Sequence, residues 1–282
     1  MSRKQWLMVK LMLLSFIFIM LCFISMTVMN PSRPGDPKFR FNKANSMPSE
    51  TGEKKAFSAV DKIVIDAISL PVEIYESDVA EVTLQDNSQI YGLGKGKPNK
   101  IFYNDGTLGF EQSKKISFLS HVRGNIIIEV PRGSVLEYDL GNVSGNINHN
   151  AVSRGTLRAE TISGSIKIYQ RGEKVSAESV SGSVRIYAPY EEARGESVSG
   201  SISLIANQDS KEVSGFSVSG SIKIQLEKVL GYEMDYSTTS GSVKDTYSNI
   251  DYSKSGKSEN GDSSLKINAV SVSGSIKLTD WE

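Results

Sequence analysis

The octapeptide SVSGSIKI at residues 217–224 is one of a set. TISGSIKI (161–168), SVSGSVRI (179–186), SVSGSISL (197–204) and SVSGSIKL (271–278) repeat it closely, with NVSGNINH (142–149) and TTSGSVKD (238–245) as weaker copies. Their central glycines are Gly145, Gly164, Gly182, Gly200, Gly220, Gly241 and Gly274, so the successive intervals are 19, 18, 18, 20, 21 and 33 residues. An interval near 20, with two short apolar stretches and a glycine each time, suits a β-solenoid: one coil cannot bury its apolar face alone, but stacking on neighbours about 4.8 Å away builds a continuous core. The expected fold is all-β, a β-solenoid of about six to seven coils preceded by β-strand segments. The long last interval contains TYSNIDYSKSGKSENGD and reads as a polar loop inserted near 245–261.

Within each repeat the expected inward columns are Val143, Ile162, Val180, Val198, Val218 and Val272 before the glycine, and Ile147, Ile166, Val184, Ile202, Ile222, Val243 and Ile276 after it. The seven glycines are expected to turn the corner in left-handed or related conformations, with flanking serines bonding nearby backbone. Leu157, Ala159 and Ile162 cannot all face inward in a straight strand, so a bend or bulge is expected upstream of the turn.

Period-two alternation begins near residue 60 in KIVIDAISLPVEIYES and continues in EVTLQ, ISFLS and NIIIEV, giving an N-terminal β part over 59–140 and the repeat solenoid over 141–282. No stretch beyond residue 30 keeps a helical period for ten residues, and APYEEARGES is broken by Pro189 and Gly195. Residues 30–58 hold Pro31, Pro34, Pro37 and Pro48 among polar groups and read as a flexible spacer, with FRF able to dock on the following domain.

Residues 11–29, LMLLSFIFIMLCFISMTVM, are uncharged and long enough for a transmembrane helix or signal anchor. Arg3, Lys4 and Lys10 precede them, which puts a short tail (1–10) in the cytoplasm and the rest outside the cell membrane. A cleaved secretory signal is the alternative, although SMTVMN lacks the small residues of a cleavage site. The sole cysteine, Cys22, lies in this apolar run, which leaves no thiol elsewhere for disulfides or catalysis and reads as a membrane-facing side chain rather than a lipid site.

Lys and Arg total 32 against 32 Asp and Glu, so global charge offers nothing to nucleic acid, and none is expected as a partner. No catalytic residue, metal site or cofactor motif is expected. His121 and His149 are isolated in FLSHVRG and NINHNAV and read as surface or turn residues. Asp139, Asp235, Asp245, Asp251 and Asp262 are scattered, and the Gly-Asp nonapeptides of calcium-binding solenoids are absent. YGLGKGKPNK (91–100) misses the phosphate-loop spacing and reads as a turn between strands.

One periodic feature could carry function. Three residues past each glycine stand Asn148, Lys167, Arg185, Ser203, Lys223, Lys244 and Lys277, held outward by apolar neighbours. Stacked, Lys167, Arg185, Lys223, Lys244 and Lys277 would form a cationic strip for an anionic cell-envelope polymer such as teichoic acid, or for lipid headgroups. They could equally serve only to solubilise the face and discourage edge pairing. Glu160, Glu178 and Glu196, four before three of the glycines, could offset the strip across the turn.

The SVSGSIKI and SVSGSVRI repeats, preceded by IVIDAISLPVEIYESDVAEVTLQ and NIIIEVPRGSVLEYDLGNVSGNI, resemble the "putative adhesin" family of bacterial envelope proteins with β-strand repeats, over roughly residues 60–280. The resemblance implies a β-solenoid on a membrane-anchored or secreted protein linked to surface interaction or envelope stress, and it brings no catalytic residues. The leading functional expectation is a membrane-anchored, non-enzymatic surface binding or scaffold module. An envelope-stress sensor acting through a membrane-protein partner is the alternative, and cleavage of a polysaccharide by paired carboxylates is a third.

Overall fold

The repeat folds because each copy supplies two short strands and a corner. A computed structural model describes residues 46–92, 98–113, 120–134, 136–248, 250–252, 254–262 and 264–281. The tail, membrane segment and most of the spacer expected from the sequence lie outside these residues. Among the described residues all regular structure is β, and no helix is long and apolar enough to cross a membrane.

Each coil lays one strand in a first 12-stranded sheet, turns at the glycine, and lays the next in a second 12-stranded sheet. The repeat strands of the first sheet are Glu137–Asn142, Ser153–Thr161, Gly172–Ser179, Tyr190–Ser197, Glu212–Ser217, Tyr232–Thr238 and Leu265–Ser271. Those of the second are Ile147–Asn150, Ile166–Ile168, Val184–Ile186, Ile202–Asn207, Ile222–Glu227, Val243–Asp245 and Ile276–Asp280. Neighbouring repeat strands run parallel in both sheets, giving a two-walled, solenoid-like stack.

The core lies between the walls. Ile147, Ile166, Val184, Ile202, Ile222, Ile276 and Val243 form one unbroken buried column in the second sheet. Burying each such side chain contributes about 1.5–3 kcal/mol, so the column is a main source of cohesion. Opposite it the first sheet offers small residues: a Cβ added at Gly195 would meet Ile202 Cγ2 at 2.9 Å, and one at Gly215 would meet Ile222 Cγ2 at 2.8 Å. Glycine here lets the branched side chains of the facing wall come close.

The corner differs from the expectation in three respects. First, the repeat glycines have no positive φ. They are required by close approach: a Cβ on Gly182 would stand 1.7 Å from the Gly164 carbonyl oxygen, and one on Gly200 would stand 1.8 Å from that of Gly182. Gly145 rests on the Leu70 carbonyl, and each of the other six repeat glycines rests on the carbonyl of the glycine in the adjacent coil. Second, the column before the glycine is only half-buried: Val143, Ile162, Val180, Val198, Val218 and Val272 lie at the rim. The inward place belongs to the residue three before the glycine, which is polar. Third, Leu157, Ala159 and Thr161 therefore alternate inward without the expected bend before the turn. The register irregularity in this strand lies earlier, between Ser153 and Thr156.

That buried polar residue fastens the coils. Gly182 N–H donates to Ser179 Oγ at 2.8 Å, and the same hydroxyl donates to the Gly164 carbonyl at 3.1 Å. Ser197, Ser217, Ser271, Thr161 and Thr238 repeat the pattern, and Asn142 does so with its amide against the Leu70 carbonyl. One hydroxyl thus satisfies two backbone groups that burial would otherwise leave costly.

Coil order does not follow chain order at either end. The last coil in sequence, Leu265–Ser271 with Ile276–Asp280, slots between the coil of Gly220 and that of Gly241. The first, Lys62–Asp66 with Val72–Ser77, lies between Glu137–Asn142 with Ile147–Asn150 on one side and Thr107–Glu111 with Ile126–Pro131 on the other. Both terminal coils are therefore held on two faces.

Antiparallel strands close the ends. Ser46–Pro48 with Lys100–Asn104, and Lys54–Phe57 with Val82–Asp86, cover one end, so the expected spacer yields to strands from residue 46. At the other end the expected loop near 245–261 is instead two strands, Ile250–Tyr252 and Ser255–Asn260, that pair back on the Gly241 coil. Short antiparallel closing strands blunt the edges of a long parallel stack.

Candidate functional site

Alternation along the strands of the second sheet fixes which side chains leave the core. Positions two and four past each glycine are buried, so those three and five past it point outward. The pairing register places the residues three past the glycine in a single row ordered Asn148, Lys167, Arg185, Ser203, Lys223, Lys277, Lys244. Intercalation of the last coil makes Lys223, Lys277 and Lys244 three successive rungs. Ser203 separates them from the Lys167–Arg185 pair.

Lys223, Lys244 and Lys277 are exposed, and Lys167 and Arg185 are half-buried. None of the five forms an ion pair with another described residue. Glu73 flanks the row beside Asn148.

The outer face of the first sheet is organised differently. Glu160, Glu178 and Glu196 stand in register there, on the wall that precedes the turn, while the cations stand on the wall that follows it. Burial, and then the Glu196 charge, raise the Glu178 carboxyl above its ordinary value. Arg194 forms an ion pair with the nearly buried Glu196 and lies over the Phe216 ring at 4.7 Å. Lys174 meets Glu192 at 2.8 Å, and Lys257 meets Asp235 at 3.1 Å. One wall thus neutralises its charges internally, whereas the other carries the cation row, with Glu73 in register next to Asn148 at one end and Asp251 in register next to Lys244 at the other.

Beside the cation row runs a second row, five past the glycine. In it Tyr169 and Tyr187 are 41% and 40% exposed, with rings stacked at 5.1 Å and 15°. This pair is not among the site residues expected from the repeat. Its signal was present as IKIY and VRIY, where the tyrosine falls two residues after the cation and so on the same face.

The two histidines part company. His121 is exposed on the ribbon formed by Gln89–Gly92 and Ser120–Arg123, its ring 5.6 Å from Tyr91. His149, expected at a turn or surface, is fully buried four past Gly145, where other coils carry Ile168, Ile186, Leu204, Ile224 and Leu278. Tyr138 meets its ring edge-on at 4.4 Å. Neither imidazole nitrogen, nor the Tyr138 hydroxyl, has a hydrogen-bond partner among the described residues, and burial pushes the imidazole pKa down to about 3. Asp245 takes the same place in the Gly241 coil, accepting from Tyr232 OH and, at 2.9 Å, from Ser248 N–H. These groups face the core and do not reach the cationic face.

The sequence profile of the family described as Toastrack DUF4097 matches residues 60–192. Among solved structures, the chain is similar to a "putative cell adhesion protein" from Clostridium sporogenes, at 12% identity over 83% of this chain and 100% of that one, with a TM-score of 0.38. It is also similar to a "putative adhesin" from Bacteroides fragilis, at 17% identity over 82% and 98% with a TM-score of 0.39. A third, a "putative adhesin" from Parabacteroides merdae, gives 11% identity over 82% and 99% and a TM-score of 0.35. No match was found among curated proteins.

Proposed function

We propose that the chain, whose residues 60–192 match the Toastrack DUF4097 profile, is a non-enzymatic surface module whose second sheet binds an anionic polymer of the cell envelope. The observation that carries this reading is the row of Lys167, Arg185, Lys223, Lys277 and Lys244, in register and without ion-pair partners among the described residues. A single exposed ion pair contributes about 0–1 kcal/mol, but a polymer lying along the row engages several at once and gains by local concentration. The apolar run at 11–29, preceded by Arg3, Lys4 and Lys10, would tether the domain outside the membrane and near such polymers.

The test is titration calorimetry of the full chain in neutral detergent, with polyphosphate and with teichoic acid. Changing all five cations to Gln should abolish binding to both while leaving the melting curve in place. In the wild type, binding should weaken steeply between 0.1 and 1 M salt, as the Debye length falls from about 10 to about 3 Å. A five-fold variant that binds as well as wild type would reduce the row to a solvated face. Binding to anionic vesicles but to neither polymer would place the ligand in the lipid headgroups.

A further inference from the structure

Lys167 and Arg185 differ from the other three cations in what stands beside them. Each is followed two residues later by an exposed tyrosine on the same face, and the two tyrosines stack across adjacent coils. Neither phenol has a hydrogen-bond partner among the described residues. The same row holds Asn150 one coil earlier, whose amide oxygen accepts from Gln170 Nε2 at 3.1 Å. In the coils of Lys223, Lys277 and Lys244 the corresponding places are Gln225, Thr279 and Thr246. The face thus has two halves, one cationic and aromatic, the other cationic and polar.

Resting on the polymer-binding reading above, we propose that the ligand is an acidic polysaccharide, whose charged groups meet the cation row while its sugar rings pack along Tyr169 and Tyr187. Aromatic side chains with a polar tip suit this chemistry: stacked on each other, the two rings leave their edges and outer surfaces for the apolar C–H groups of a sugar, and the hydroxyls bond to the sugar's own. The rungs are about 4.8 Å apart, a spacing similar to one sugar unit, so charge and ring can repeat together along the stack. Charge complementarity selects an acidic chain over a neutral one. The tyrosines are stacked on each other at 5.1 Å, which leaves no slot between them for a nucleobase, and this favours a glycan over single-stranded nucleic acid.

The probes are polygalacturonate, polyphosphate carrying the same number of charges, and oligothymidylate of matched charge, each titrated into the full chain in neutral detergent. Polygalacturonate should bind wild type about tenfold more tightly than polyphosphate. Tyr169→Thr with Tyr187→Thr, β-branched residues that suit a strand, should remove that advantage and leave polyphosphate binding unchanged. The wild-type comparison needs no variant and stands even if the double substitution unfolds. Equal affinity for the two polymers in wild type, or an undiminished polygalacturonate affinity in a folded Thr pair, would overturn the assignment while leaving the cation row intact. Binding of neither polymer would overturn both readings, and tighter binding of oligothymidylate would assign the face to nucleic acid.

Discussion

Gly200→Ala is expected to lower the free energy of unfolding by about 3 kcal/mol or more, an unusually large effect for one added methyl group. The new Cβ would stand 1.8 Å from the Gly182 carbonyl oxygen and 2.4 Å from its carbon. Neither atom can step aside. The Gly182 carbonyl accepts from Ser197 Oγ at 3.0 Å, and Ser199 N–H is held by the Val180 carbonyl at 2.8 Å. Relief requires separating two coils, which breaks corner bonds on both. The control is Gln208→Ala in the nearby turn, which is exposed and should change stability by no more than about 0.5 kcal/mol. Ser210 in the same turn is unsuitable, because it is buried and its hydroxyl accepts from Asn207 N–H at 3.2 Å. Denaturant midpoints decide the matter, and equal midpoints for Gly200→Ala and Gln208→Ala would refute the close-approach account.

His149→Ile should stabilise the domain in acid and flatten its pH dependence. The imidazole is held neutral in the fold, with its pKa pushed from 6.5 to about 3 by burial. The unfolded chain takes up the proton first. Stability is therefore complete above about pH 6.5 and drains away as the pH falls towards 3, by at most about 1.4 kcal/mol per pH unit and of order 5 kcal/mol across the window. Ile is the residue that other coils place in this column, at Ile168, Ile186 and Ile224. Tyr138, the titratable group against the ring, is itself pushed upward by burial and stays protonated throughout. Unfolding curves at pH 7.5 and 4.5 should converge for the variant and diverge for wild type. Parallel acid losses in the two proteins would show that His149 is not the responsive group.

The period, the buried columns after the glycine and the outward cations could all be read from the repeat, because these features follow from a local alternation and a fixed coil length. Features that depend on neighbouring coils could not. The glycine requirement looked conformational, but it arises from a carbonyl about twenty residues away in sequence. The inward place at the corner looked suited to Val180 or Val198, yet it went to Ser179 and Ser197, because a hydroxyl there serves backbone groups of two coils and an alkyl side chain cannot. Apolarity alone could not indicate that exchange. The slot taken by the last coil was equally hidden: Lys277 follows Lys244 in sequence but precedes it in the stack. The closing strand Ser255–Asn260 is polar and lacks the alternation of core strands, and Ile250–Tyr252 is only three residues long, since their task is to end a sheet rather than to fill a core. His149 was misplaced because a lone polar residue in NINHN gives no sign that its coil position is an interior one.

Whether the cation row acts as one multivalent surface is tested most directly by titrating the full chain, in neutral detergent at 0.1 M salt, with polyphosphates of graded length. The six rungs from Lys167 to Lys244, at about 4.8 Å each, extend over about 24 Å. Affinity should climb steeply with each added phosphate until the chain reaches that span, then rise only slowly, and the climb should vanish at 1 M salt. Affinity that depends on total charge alone, with no change of slope near that length and no loss at high salt, would contradict a polymer lying along the stack.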